Sequence, residues 1–252
     1  LKVLVAAGCL SQRYQEEIQK EIGEVDAIIG TSAIDAVASA LKKVLEGKAG
    51  NCIKSPDGPP LLGKKRVMTT GGYYSYLKIA EGCNKHCTYC IIPKVRGNYR
   101  SVPMEELLEQ AGALAQQGVR ELVLVAQETT LYGVDLYGEK RLPELLEALC
   151  QIEKIRWIRI LYCYPEEIDE KLIRVIRSRD KICHYLDLPI QSGSDGILKR
   201  MGRRTDTEQI RRMIRRLRQE IPDICIRTTF ISGFPGETQE DHESTMEFIN
   251  EM

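Results

Sequence analysis

Three cysteines fall within a single short stretch of this chain, Cys83-Asn84-Lys85-His86-Cys87-Thr88-Tyr89-Cys90. Three thiolates on one loop can converge on a single metal centre. A structural zinc site takes four ligands, and no fourth cysteine stands at ligand spacing. His86 lies between two of the thiols, where loop geometry rarely turns a side chain inward. A cubane iron–sulfur cluster normally takes four thiolates. Three leave one iron with an open coordination position, which is what a reactive cluster needs. The spacing therefore points to metal ligation by Cys83, Cys87 and Cys90.

Such a loop needs a scaffold, and the remaining pattern supplies one. From residue 73 onward, apolar runs alternate with amphipathic helical segments. Strands are expected at 76–80, 121–126, 157–161, 185–189 and 224–231, and helices at 104–117, 142–152, 166–178, 207–220 and from 239. Repeated βα units predict a parallel sheet with right-handed crossovers. Five of them suit an α/β fold of the partial (β/α) TIM-barrel type, whose chemistry belongs at the C-terminal ends of the strands. The cysteine loop directly follows the first of these strands. Ahead of it, strands at 2–6 and 26–29, a helix after Ser11 and another at 34–46 read as part of a small α/β unit. The expected division is thus 1–46, a Gly/Pro-rich linker over 47–72, and a barrel core over 73–252. The chain opens at Leu1 almost directly in a strand and closes at Met252 inside a helical pattern, so it reads as an internal piece of a longer protein.

The other strand ends are polar where a barrel site wants them. Strand two leads into Gln127-Glu128-Thr129-Thr130, strand four into Gln191-Ser192-Gly193-Ser194, and strand five into Gly233-Phe234-Pro235-Gly236-Glu237-Thr238. Each alone reads equally well as a βα turn with capping residues. Arg227, in a mostly apolar strand, needs an anionic partner.

With Tyr89 before its last cysteine, the triplet resembles the signature of the radical S-adenosylmethionine (SAM) superfamily. The resemblance implies a 4Fe-4S cluster held by Cys83, Cys87 and Cys90, whose free iron binds the amino and carboxylate groups of SAM. Reductive cleavage of SAM then yields a 5′-deoxyadenosyl radical that abstracts a hydrogen atom. It further implies that Tyr89 borders the cofactors and that Gln127 and Glu128 face the SAM amino group. Gln191 and Ser192 would hold the ribose, and the stretch from Gly233 to Gly236 would pass beneath the adenine. Arg227 would meet either the SAM carboxylate or a structural carboxylate. Ser192 departs from the pattern, standing where members usually carry histidine.

Residues 82–93, with Arg96-Gly97, Arg100-Ser101 and 233–238, are similar to the methylthiotransferases of that superfamily. Gly8-Cys9-Leu10-Ser11-Gln12-Arg13 resembles the second half of their N-terminal domain, which makes Cys9 one remaining ligand of a second, auxiliary 4Fe-4S cluster. Segments 127–138, 157–165 and 198–204 resemble the branch that modifies the β-carbon of an aspartate in a small-subunit ribosomal protein, rather than the branch that modifies adenosine in tRNA. That branch implies a ribosomal protein or assembled subunit as partner, a reductant such as flavodoxin or ferredoxin, a monomer, no membrane, and a cytoplasmic setting. The competing reading from another class is an electron-transfer or structural iron–sulfur module, which would not cleave SAM.

Composition limits the field. Basic and acidic residues balance at 36 each, which argues against a strongly electrostatic nucleic-acid binder. A hydrophobic share of 43% with 29% charged residues excludes a disordered or collagen-like chain. No apolar run approaches the ~20 residues of a membrane span. Nine cysteines, an odd number and with no export signal in view, disfavour a complete disulfide framework and favour a reducing compartment. Cys150, Cys163, Cys183 and Cys225 read as small core residues, Cys52 as unpartnered, and His184 and His242 as structural or solvated. Residues 199–218 carry nine basic and two acidic side chains, a pattern of a solvated helix face, with docking on an RNA-rich surface as the alternative.

Overall fold

The computed structural model describes residues 3–59, 68 and 71–252. The expected strand start at Lys2 and the linker positions 60–67 and 69–70 lie outside them. The described residues divide into two compact units, one within 1–64, 81–84 and 90–100, the other within 65–80, 85–89 and 101–252.

The first unit holds strands β1 (Val5–Ala7) and β2 (Ala27–Ile29) and helices α1 (Cys9–Arg13), α2 (Gln15–Glu21), α3 (Val37–Leu45) and α4 (Ile92–Arg96). β1 and β2 pair in parallel with Val5 opposite Ala27. β2 is entirely buried, and Ile29, Ala33 and Ala40 form its small core. Helix α3 begins after a 3-10 turn at Ile34–Ala36, later than its expected start.

The second unit is built on a five-stranded sheet of β3 (Tyr74–Lys78), β6 (Glu121–Val125), β7 (Trp157–Ile160), β8 (Ile182–Gln191) and β9 (Cys225–Phe230). β4 (Ala80–Glu81) and β5 (Arg100–Ser101) form a separate two-stranded pairing. The five strands lie side by side in chain order, every pair parallel. That order fits a partial TIM-type barrel, as the βα alternation predicts. The connections carry α5 (Met104–Gln116), the short α6 (Val134–Tyr137), α7 (Leu142–Cys150), α8 (Glu170–Ser178), the short α9 (Asp195–Arg200) and α10 (Thr207–Glu220), and α11 (Gln239–Glu251) follows β9.

The sequence explains the burial. β6 reads Glu-Leu-Val-Leu-Val, a near-continuous apolar run covered on both faces, whereas β3 alternates inward Ser75 and Leu77 with outward tyrosines. α10 turns Ile210, Ile214 and Leu217 inward at helical spacing. Three of its five arginines find acids: Arg211 and Arg215 bond Glu251, and Arg216 bonds Glu170. Caps fix the helix starts, with Asp169 accepting from Leu172 N, Asp206 from Gln209 N, and Thr238 and Asp241 forming a reciprocal box.

The Asp169 cap also corrects an expectation. The helix placed at 166–178 starts only at Glu170, and Pro165–Glu167 is a 3-10 turn instead. Glu166 and Glu167 are therefore released from the helix. The strand expected at 185–189 is longer, Ile182–Gln191, pairing with β7 from Ile182 and with β9 as far as Gln191.

Candidate functional site

The cysteine loop is fixed at both of its halves. In the first unit, Gly82 takes φ +80°, and an added Cβ would stand 2.1 Å from the Asn98 carbonyl oxygen. Cys83 N donates to Gly97 O at 3.2 Å, and Tyr99 N donates to the Asn84 side chain at 3.0 Å. In the second unit, Thr88 N donates to Met201 O and its hydroxyl to Arg200 O. Cys87 Sγ lies 3.7 Å from the Tyr164 hydroxyl. Cys83 and Cys87 are buried, Cys90 is half-buried, and all three are free thiols. Among the described residues, no group of three or more His, Cys, Asp or Glu stands close enough to hold a metal ion. The donor chemistry nonetheless suits an iron–sulfur cluster: free, soft sulfur ligands on one short loop, two of them shielded from water.

Behind Cys87 lies a dense charge network. Lys85 Nζ bonds Glu167 and stands 3.8 Å from Glu166 Oε1 and 4.0 Å from Glu128 Oε2. Lys140 Nζ reaches Glu167 Oε2 at 2.8 Å, and Arg203 Nη2 lies 3.9 Å from Glu166 Oε2. Lys85 and Arg203 both sit over the Tyr164 ring, 4.8 and 4.2 Å from its centroid. Glu128 is wholly buried. That burial pushes its carboxyl up to about 7, against the opposing pulls of the Thr130 hydroxyl and Lys85. For Glu167, burial pushes upward too, but hydrogen bonds from Lys140 and Lys85 outweigh it and hold the group below the usual carboxylate range.

The strand ends toward β9 are different. Arg227 Nη1 bonds Asp187 Oδ1 at 3.0 Å, so in this structure a structural carboxylate meets it. The buried Ser192 hydroxyl accepts from Ser194 N at 3.1 Å and lies 3.4 Å from the Thr245 hydroxyl. Gln127 is half-buried just after β6. Gly233 is open, with nothing within 4 Å of an added Cβ, while Gly236 packs against Arg200, which donates to its carbonyl. Ser232, Gly233, Glu237, Thr238, Gln239 and His242 line an open pocket of about 210 Å³. The half-exposed Tyr89 ring meets Phe234 edge-on at 6.2 Å, and burial together with the neighbouring Cys87 pushes its phenol up to about 12.

Backbone strain marks the same end of the sheet. Among the described residues, the non-glycine residues with positive φ are His86 in the cysteine loop, Tyr162 just after β7, and Gln191 closing β8. Strained backbone of this kind gathers at functional sites. Cys9, in the first unit, opens α1 and accepts from Arg96 Nη2 at 3.2 Å, with Arg96 also reaching Glu81. Sequence reasoning missed Lys85, Tyr164, Glu166, Glu167 and Arg203 as members of the site. The signal was available in Tyr164-Pro165-Glu166-Glu167, an acidic pair directly after an apolar strand.

A parallel α/β sheet with a CxxxCxxC loop after its first strand is the arrangement of a radical SAM core, and the radical SAM superfamily matches residues 77–249. The chain belongs to that superfamily. It is 61% identical over 252 residues, its whole length, to the ribosomal protein uS12 methylthiotransferase RimO of Lachnoclostridium phytofermentans. It is 50% identical over 253 aligned residues to the protein of the same name from Alkaliphilus oremlandii. It spans 57% and 56% of those two proteins. Among solved structures, it matches the radical SAM methyltransferase TsrM of Kitasatospora setae with tryptophan substrate and a SAM analogue bound, at TM-score 0.69 and 15% identity, covering 98% of this chain and 53% of that one. The cobalamin-dependent radical enzyme OxsB, with aqua-cobalamin and SAM bound, matches at TM-score 0.66 and 15% identity, covering 98% of this chain and 38% of that one. At such identity these two establish the fold alone. No helix among the described residues is long and apolar enough to cross a membrane.

Proposed function

We propose that this chain carries the radical-generating core of a methylthiotransferase that converts the β-carbon C–H of an aspartate in ribosomal protein uS12 to C–SCH3. The observation that carries this reading is the 61% identity across the whole chain to a curated uS12 methylthiotransferase. Cys83, Cys87 and Cys90 are the residues that would hold a 4Fe-4S cluster through three thiolates, leaving one iron for SAM. Loaded with that cluster, such a site supplies the electron for reductive cleavage of SAM, and so for hydrogen abstraction from an unactivated carbon.

The protein's own groups do the rest. Glu128, with Gln127 beside it, receives the SAM ammonium; a carboxyl poised near 7 gives up its proton when that cation arrives. Gln191 and Ser192 border the ribose, and the stretch from Gly233 to Gly236 passes beneath the adenine, with room left at the open Gly233. Tyr89 closes the loop side of the same space. Arg227, already paired with Asp187, orients that carboxylate, and its half-exposed guanidinium also stays available to the SAM carboxylate. Cys9 is read as one ligand of an auxiliary 4Fe-4S cluster, within residues 1–46 as part of an N-terminal domain joined by 47–72 to the core. The partners follow from the same reading: a small ribosomal subunit protein, a flavodoxin- or ferredoxin-type reductant, and a monomer working in the cytoplasm.

Anaerobic reconstitution with iron and sulfide, followed by dithionite and SAM, tests the core. The expected product is 5′-deoxyadenosine, and Cys87→Ala should abolish both cluster absorbance and cleavage. An intact cluster that leaves SAM uncleaved would identify an electron-transfer module instead. The substrate is tested by supplying the full-length protein with uS12 and with tRNA, and finding which gains the methylthio group.

A further inference from the structure

We infer that Tyr164 is a positioning residue for the cluster, its hydroxyl donating a hydrogen bond to the Cys87 sulfur while Lys85 and Arg203 hold the ring in place. The inference rests on Cys87 being a cluster ligand, as read above. The Tyr164 oxygen stands 3.7 Å from Cys87 Sγ, within reach for a hydrogen bond to sulfur. Both side chains are buried, so water does not compete for either atom. With a thiol at Cys87 either group can donate. A metal-bound thiolate has no proton, and the phenol then becomes the donor.

The surroundings of the ring are arranged for that task. Lys85 lies two residues before Cys87 and packs its ammonium over the Tyr164 ring, while Arg203 reaches the same ring from the loop after α9. Positive charge beside a phenol draws electron density from its oxygen and makes the O–H a better donor. Glu167, from the turn that follows Tyr164, hydrogen-bonds Lys85, and Glu166 beside it places its carboxylate 3.8 Å from Lys85 and 3.9 Å from Arg203. One short segment thus supplies both the donor and the acids that fix its cationic neighbours. Hydrogen bonds to cluster sulfurs are among the factors that set reduction potential. The reduced cluster carries the extra negative charge and gains more from the donor, so the hydroxyl raises the potential and eases the first electron transfer.

The test is a redox titration of the anaerobically reconstituted chain, followed by spectroscopy of the reduced cluster. Tyr164→Phe should keep its iron content and absorbance, shift the midpoint to more negative potential, and lose one exchangeable proton coupled to the reduced cluster. Tyr132→Phe is the control, because that buried hydroxyl donates to Val102 O at 2.9 Å and its loss should leave the midpoint in place. If Tyr164→Phe does not fold, Arg203→Met carries the test, with a smaller shift of the same sign and a weakened but retained proton coupling. An unchanged midpoint with an intact cluster in either variant overturns the inference. A wild-type chain that takes up no cluster overturns instead the ligand assignment on which it rests.

Discussion

The two flanks of this sheet's C-terminal end are built in opposite ways. Around Lys85, three acids and three bases pair within the fold, and Glu128 and Arg203 have left solvent almost entirely. After β9, Arg227 keeps 58% of its side chain exposed, Gly233 faces empty space, and a shallow pocket opens beside it. The first flank is organised by the chain's own contacts, so its geometry is set when the protein folds. The second has few internal partners and leaves its groups to whatever binds there. Substitutions on the first flank should therefore register chiefly in stability, with Glu128 alone also reaching ligand affinity, and substitutions on the second in ligand affinity.

The largest effect is expected at Gly82. Alanine there would meet backbone atoms, the Asn98 carbonyl at 2.1 Å, in a conformation with φ +80° that side chains disfavour. Backbone cannot swing aside as a flexible side chain can, so Gly82→Ala should cost on the order of 5 kcal/mol, at the top of the range for single substitutions. Chemical denaturation followed by circular dichroism measures it, and a cost near 1 kcal/mol would show that the chain around Gly82 is as loose as that around Gly233.

Next in size comes Lys85→Met, which leaves Glu166, Glu167 and Glu128 clustered with their central cation removed. Breaking a buried pair by deleting one partner costs about 4 kcal/mol. The same denaturation experiment reads it. If the loss is no larger than for an exposed pair such as Arg215 with Glu251, the buried network is not what holds this flank.

Glu128 gives the third effect, and it depends on pH. Its folded-state value of about 7 lies above the ordinary 4.5, so between those values the folded state keeps a proton the unfolded state has released. Stability from this group is therefore full below about pH 4.5 and falls as pH rises through about 7, by about 3 kcal/mol in all. Glu128→Gln should remove that slope, making the variant more stable than the wild type above pH 7 and not below pH 4.5. Thermal melts across pH 4.5 to 8 decide the matter, and parallel slopes for the two proteins would refute it. On the proposed reading, SAM affinity rises with pH through the same window and Glu128→Gln flattens that rise.

The contrast also explains what the sequence could and could not reveal. The sheet was legible because β6 is a near-continuous apolar run, β8 keeps Leu186, Leu188 and Ile190 apolar around Asp187, and the helices between the strands keep a 3.6-residue period. The cysteine loop was legible because three soft ligands in one stretch have few other uses. The charge network was not, since Lys85, Tyr164, Glu166 and Arg203 come from three separate segments and meet only in space. Glu166 and Glu167 carried a further disguise, reading as the first turn of α8 until the Asp169 cap moved the helix start past them. Arg227 showed its need for an anion but not which one, because Asp187 faces it from the neighbouring strand at matching register.

The smallest effect belongs to Gly233, and its contrast with Gly82 is clean because the two glycines share almost the same φ. Gly233 has φ +77°, yet an added Cβ would touch nothing within 4 Å. Only the conformational penalty remains for Gly233→Ala, about 1 kcal/mol, or about 3 °C in melting temperature for a chain of this size. Under the proposed reading the new methyl enters the space beneath the adenine, so SAM affinity should drop several-fold while the fold barely changes. Equilibrium binding of SAM to the reconstituted chain, set beside the melt, tests both halves. A large stability loss would mean that the second flank is packed like the first. An unchanged affinity would move the adenine away from Gly233 and leave the pocket without its proposed use.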